Sequence, residues 1–260
     1  MDRLAVIRTE SQRLADVLAE VSPSNRVPTC PEWDAADLLW HLTEVHGFWA
    51  RVLADDVRSE EGVAEVEAAA PQRPTSTREV LALRERATAD LLAQLERLDD
   101  AEPRWSWWEP DQTVGFTRRM QTYEATMHRV DAELAADLDV SPLAPDVAVG
   151  AVDQCVDVMW GWVPEWGAEE PLAVVALVAD DTLDRWLVDV GHWTGTGPES
   201  GTELDWPFAR PAAGGDPTVT VTGSVQDLAL WAWGRGGSVQ VEGSRPGVEA
   251  VDALIAHGVQ

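Results

Sequence analysis

Residues 116–138 read FTRRMQTYEATMHRVDAELAADL, and their spacing restricts the chain more than any other stretch. Met120, Tyr123, Met127, Val130, Leu134 and Leu138 recur mostly every three or four positions, as on one face of a helix. Thr117 is the expected cap at its start. On this helix Glu124 and His128 are one turn apart, so a carboxylate lies above an imidazole on the same face. Such a pair can grip a metal ion if a third ligand comes from another helix. It can equally be a surface ion pair, or a core histidine bonded to its neighbour.

A helix with one apolar stripe needs partners, and the preceding sequence supplies three. Residues 2–21 carry Leu4, Ile7, Leu14, Val17, Leu18 and Val21 at helical spacing. In VPTCPEWDAADLLWHLTEVHGFWARVLADDV (27–57), Pro28 and Pro31 hold the approach extended. Asp34 is placed as an N-cap, with Asp37 three residues on in a capping-box position. Leu38, Leu39, Leu42, Val45, Trp49 and Leu53 form the apolar face of this second helix, and His41 lies close enough to it to point inward. Residues 59–75, acidic and then rich in Ala and Pro, are expected to be a loop. A third helix spans Ser76 to Leu98, and residues 99–116 connect it to the fourth. Four amphipathic helices with two long connections predict a four-helix bundle.

The segment SPLAPD (141–146) marks a boundary between domains 1–142 and 143–260. A helix over 147–163 is followed by strands at 172–179, 184–191, 218–224 and 238–243. A short helix is expected over 224–234, capped by Ser224 and stopped by Gly234, and a closing helix over 247–257. The stretch 195–215, rich in Gly and Pro, is expected to be irregular. The predicted class is therefore α+β with two domains, the second a small one with an antiparallel sheet.

Composition removes several functions. The net charge is −27, from 46 acidic residues against 19 basic ones, all arginine. Nucleic acid and anionic membrane surfaces require a positive footprint that this chain lacks. No apolar run approaches the ~20 residues of a membrane span, and the charged N-terminus is unlike a signal peptide, so a soluble cytoplasmic protein is expected. The two cysteines, Cys30 and Cys155, form neither a CxxC motif nor a disulfide framework. Arginine in place of lysine, with abundant Ala, Val, Asp and Gly, suggests a GC-rich genome; a salt-adapted proteome is the other reading.

Three stretches together carry a resemblance: VPTCPEWDAADLLWHL (27–42), YEATMHRVDAELAAD (123–137), and the pair VALVADDTLDRWLVDVG with VTGSVQDLALWAWGR. In order and spacing they resemble the mycothiol-dependent maleylpyruvate isomerase family, a DinB-like metal-binding four-helix bundle followed by a C-terminal α/β domain. The likeness covers nearly the whole chain, with Glu32 standing where a small residue is expected. It implies a divalent metal held by His41, Glu124 and His128, with zinc favoured for a His2Glu set. It also implies mycothiol as the thiol cofactor or co-substrate, in keeping with a GC-rich actinobacterial source. An arginine of the second domain is implied to hold a substrate carboxylate. Arg235 in WGRGG is best placed for that role, although a positive charge closing a helix would sit there too.

The implied activity is a metal-dependent cis-trans isomerase or mycothiol S-transferase acting on a small electrophile. The alternatives are a metal-binding or partner-binding module without turnover, and a metal-dependent hydrolase in which water replaces the thiol. The oligomeric state is left open. Other residues are given structural readings. His46 is expected at the rim or surface, Glu44 in solvent, Cys30 as a packed thiol, and Arg129 and Asp131 to the side of the site. Trp105, Trp107 and Trp108 are expected either to wall a pocket or to pack in the core.

Overall fold

Four long helices build the first part of the chain: α1 (Arg3–Ala19), α2 (Ala35–Ala54), α4 (Thr77–Arg97) and α5 (Val114–Ala135), with the short α3 (Glu60–Ala68) between α2 and α4. The computed structural model describes residues 1–259. The chain divides into two compact units, Met1–Ser141 and Pro142–Gln260. In the first, α1 packs along α5 and α2 along α4, and α2 also touches α5. Each helix turns its leucines and valines inward: Leu14 and Leu18 from α1, Leu38, Leu42 and Leu53 from α2, Leu91 and Leu95 from α4, Val130 from α5. Each such side chain contributes about 1.5–3 kcal/mol by leaving water. No helix among the described residues is long and apolar enough to cross a membrane.

The start of α2 is the one the sequence predicts. Asp34 Oδ1 accepts from the Asp37 N–H at 2.9 Å, and Asp37 Oδ2 accepts from the Asp34 N–H at 3.1 Å, closing the capping box. Ahead of it, a small hairpin pairs β1 (Arg26–Val27) with β2 (Cys30–Asp34).

Three expectations in this unit are corrected. The stretch 59–75 contains α3, where Ser59 caps the helix and Val63 and Val66 are buried one turn apart. Two inward valines at helical spacing, with Glu60 and Glu61 favouring the helix N-terminus, outweigh the acidic composition. The cap of α5 is Thr113, whose hydroxyl accepts from Phe116 N–H at 3.1 Å, and Thr117 is a buried residue inside the helix. The helix also stops at Ala135, because Asp137 turns left-handed at φ 56°; this leaves Leu138 44% exposed instead of on the stripe.

The second unit begins with α6 (Pro145–Gln154), which runs into a π-helical turn over Cys155–Met159 instead of one helix to 163. Five strands follow: β3 (Ala168–Ala179), β4 (Arg185–Thr196), β5 (Glu203–Pro211), β6 (Val219–Gly223) and β7 (Gln240–Gly243), ordered β5-β4-β3-β6-β7. The α+β class holds. The sheet is antiparallel at three of its pairings, but β6 runs parallel to β3. The helix α7 (Val225–Ala232) joins β6 to β7, and α8 (Arg245–His257) lies against β3, β4 and β5. Ala173, Val175, Leu177 and Ala179 alternate inward along β3, and Val219 and Val221 do so on β6. Ser224 caps α7 as expected.

The stretch 195–215 is not irregular, since it contains β5. Pro207 and Pro211 are tolerated because β5 is an edge strand paired only with β4. Pro171 in β3 sits at a register shift, where Leu172 bulges out. Opposite it, Gly191 is required by space: a Cβ there would lie 2.5 Å from the Glu170 carbonyl oxygen and 2.8 Å from Phe208.

Candidate metal centre

His41 is on the second turn of α2 and Glu124 and His128 are on α5, so the contact between these helices brings all three together. One oxygen, Glu124 Oε1, lies 2.9 Å from His41 Nε2 and 3.1 Å from His128 Nε2. The three residues each offer one ligand atom, and those atoms lie within 4.8 Å of one another. His128 is buried, while His41 and Glu124 are half-buried, so the group is open on one side. Trp33, from the strand before α2, covers it with its ring centroid 4.6 Å from that of His41 and 5.9 Å from that of His128.

Asp131 is the residue that sequence reasoning missed. It is fully buried, and its Oδ2 is 2.8 Å from His128 Nδ1. A carboxylate can only accept, so Nδ1 carries the hydrogen and Nε2 is turned toward Glu124. Thr29 donates to the other oxygen of Asp131 at 2.5 Å, which fixes the carboxylate. The signal was present in the sequence: Asp131 is three residues after His128, on the same helix face.

Both nitrogens of His128 therefore face carboxylate oxygens. Burial alone would lower its pKa, but the Glu124 charge and the hydrogen bonds to Asp131 and Glu124 prevail and raise it to about 9. Burial likewise opposes the charge on Glu124, yet the two histidines hold its carboxyl well below the usual carboxylate range. The donor set of two imidazole nitrogens and one carboxylate oxygen suits a divalent cation, which would take the place of the proton between His128 and Glu124. An imidazole oriented by a second carboxylate is the usual support of such a ligand.

The remaining candidates fall elsewhere. His46 is not at a rim: it is fully buried, with Nδ1 2.9 Å from Thr88 Oγ1. Burial holds its pKa down at about 3, with Arg84 and the other two histidines adding to the effect and Glu124 opposing it. Glu44 is exposed, as expected. Arg129 is buried and paired with Glu10 and Glu133, a structural role. Trp105 stacks on Trp49 and donates to Glu60, and Trp107 packs on Trp108 and Phe116, so the tryptophan at the three-residue group is Trp33. Cys30 is half-buried and Cys155 is buried; neither belongs to the three-residue group. Arg235 belongs to the second unit, where its Nη1 donates to the carbonyl of Trp233 at 2.6 Å, the contact that a charge closing α7 would make.

Comparison with known proteins gives a consistent result. None of the curated proteins compared matches the chain. Two solved structures are similar, one of the mycothiol-dependent maleylpyruvate isomerase and one of a mutant in which a histidine is replaced by alanine. They are 16% and 17% identical to the chain, and each match covers 94% of both chains with a TM-score of 0.57. At this identity the likeness establishes the fold. Residues 4–133, half of the chain, match the model of the mycothiol maleylpyruvate isomerase N-terminal domain. A match over that span, on the same bundle that carries the two histidines and the glutamate, places the chain in the mycothiol maleylpyruvate isomerase family.

Proposed function

We propose that this protein is a metal-dependent enzyme of mycothiol chemistry, acting on a small electrophile either as a cis-trans isomerase or as an S-transferase. The observation that supports it most is the meeting of His41 Nε2 and His128 Nε2 on one oxygen of Glu124, on the bundle of a family named for mycothiol. His41, Glu124 and His128 would hold the ion, with zinc favoured. A divalent cation there supplies a positive charge that lowers the pKa of a thiol at neutral pH, and mycothiol supplies the sulfur.

The chain's own residues do the rest. Asp131 holds the proton on His128 Nδ1 and so keeps Nε2 for the ion. The proton that Nε2 shares with Glu124 must leave before loading, so loading is opposed by acid. Trp33 covers the two imidazoles from one side. Arg235 is the residue proposed to hold a substrate carboxylate. The test is turnover of activated alkenes and epoxides by metal-loaded protein with and without mycothiol. Turnover only when both are present is expected. Turnover without the thiol would make it a hydrolase, and metal binding with neither turnover nor thiol binding would leave a binding module.

A further inference from the structure

Among the described residues of the bundle three arginines, Arg84, Arg104 and Arg129, are buried and Arg118 is 15% exposed; all but Arg84 have carboxylates. Arg129 is paired with Glu10 and Glu133, Arg118 with Asp100, and Arg104 with Asp56 at 2.7 Å. Arg84 differs. It is 5% exposed, as buried as Arg104, yet it forms no ion pair among the described residues. Its one hydrogen bond goes from Nη2 to Gln12 Oε1 at 3.3 Å, and its Nε has no partner. A guanidinium does not shed its proton to escape burial, so the charge remains. A buried cation without a direct ion-pair partner is costly, and the charges of Glu85 and Asp16 reach Arg84 only from beyond ion-pair distance. Such a cation is unexpected in a chain with 46 carboxylates to choose from.

Arg84 also lines a groove of about 280 Å³ between α1 and α4. Arg8 and Gln12 face the groove from α1, and Thr88 faces it from α4, one turn after Arg84. When His46 Nδ1–H donates to Thr88 Oγ1, the threonine hydroxyl proton is left for the groove. Glu85 and Glu96 stand at the groove as well, but both are exposed, where water and salt screen them.

We propose that the α1/α4 groove is a binding site for a small oxyanion, a tetrahedral anion or a carboxylate, whose charge is matched by Arg84 with Arg8 beside it. The site is independent of the metal-centre reading and uses none of its ligands.

The experiment follows thermal unfolding of the full chain, with metal chelated, in millimolar sulfate and in sodium chloride of equal ionic strength. Sulfate is expected to raise Tm by about 3 °C more than chloride does. Acetate in place of sulfate distinguishes a carboxylate ligand from a tetrahedral one, and a specific rise with either supports the site. In Arg84→Met the anion-specific rise should vanish. In anion-free buffer that variant should unfold no lower than wild type, since a buried charge without a direct ion pair is gone. Should Arg84→Met not fold, Arg8→Gln serves, because Arg8 is exposed; the sulfate concentration at half effect should rise at least about threefold, as expected when one of two cations is lost. Equal shifts in sulfate and chloride, or a sulfate shift that survives in the variants, overturns the site. Self-association lost in Arg84→Met, with no response to either anion, would assign the groove to a second copy's carboxylate and also overturn it.

Discussion

His46→Gln should make this protein less sensitive to mild acid. The His46 ring is fully enclosed by the bundle, with one nitrogen on Thr88 and Nε2 without a partner. Burial, reinforced by Arg84, His128 and His41 and opposed by Glu124, lowers its pKa from 6.5 to about 3. The folded protein therefore keeps this residue neutral while the unfolded chain protonates it. Stability from this source is complete above pH 6.5 and is lost progressively as the pH falls toward 3. Each pH unit below the unfolded value costs about 1.4 kcal/mol, so bringing the protein from about pH 7.5 to about pH 5 should cost about 2 kcal/mol through this one residue. Glutamine keeps a hydrogen-bonding group for Thr88 and cannot titrate. Urea unfolding of both proteins at the two pH values, with metal chelated, gives the loss for each. The wild type should lose about 2 kcal/mol more than His46→Gln. Equal losses would mean that His46 is hydrated or already charged in the folded state, and that burial does not hold it neutral.

Asp131→Asn leaves all three proposed ligands in place but weakens the acceptor for His128 Nδ1–H; metal affinity measured by chelator competition should fall about 10–100-fold while the fold survives. Thr113→Ala should destabilise the bundle by about 1 kcal/mol through loss of the α5 cap. The measurement is a shift in the urea midpoint, and no shift would put the cap elsewhere. Gly191→Ala forces a Cβ to within 2.5 Å of the Glu170 carbonyl oxygen, so the β3–β4 pairing must part there, and amide exchange along both strands should accelerate.

Local pattern alone carried the four long helices of the bundle, the Asp34–Asp37 capping box and the strands β3 and β6, because each depends on neighbours a few residues away. So did the Glu124–His128 pair, which one turn of helix defines. Tertiary structure decided the rest. That His41 meets this pair depends on how α2 packs against α5, and spacing within either helix does not determine it. The burial of His46 had the same origin: five residues from His41, it turns to a different side of α2, and that side faces α4 instead of solvent. Asp131 looked like a bystander until the fold buried it against His128 and Thr29. The edge strand β5 was hidden by its prolines, which forbid a central position but not one with a single paired edge. Arg84 shows the limit most clearly. Its helix position marks it as ordinary, and only packing shows a buried charge that lines a groove and has no ion pair. Local order follows from the sequence of dihedral preferences and caps, whereas burial and charge pairing belong to contacts between residues distant in the chain.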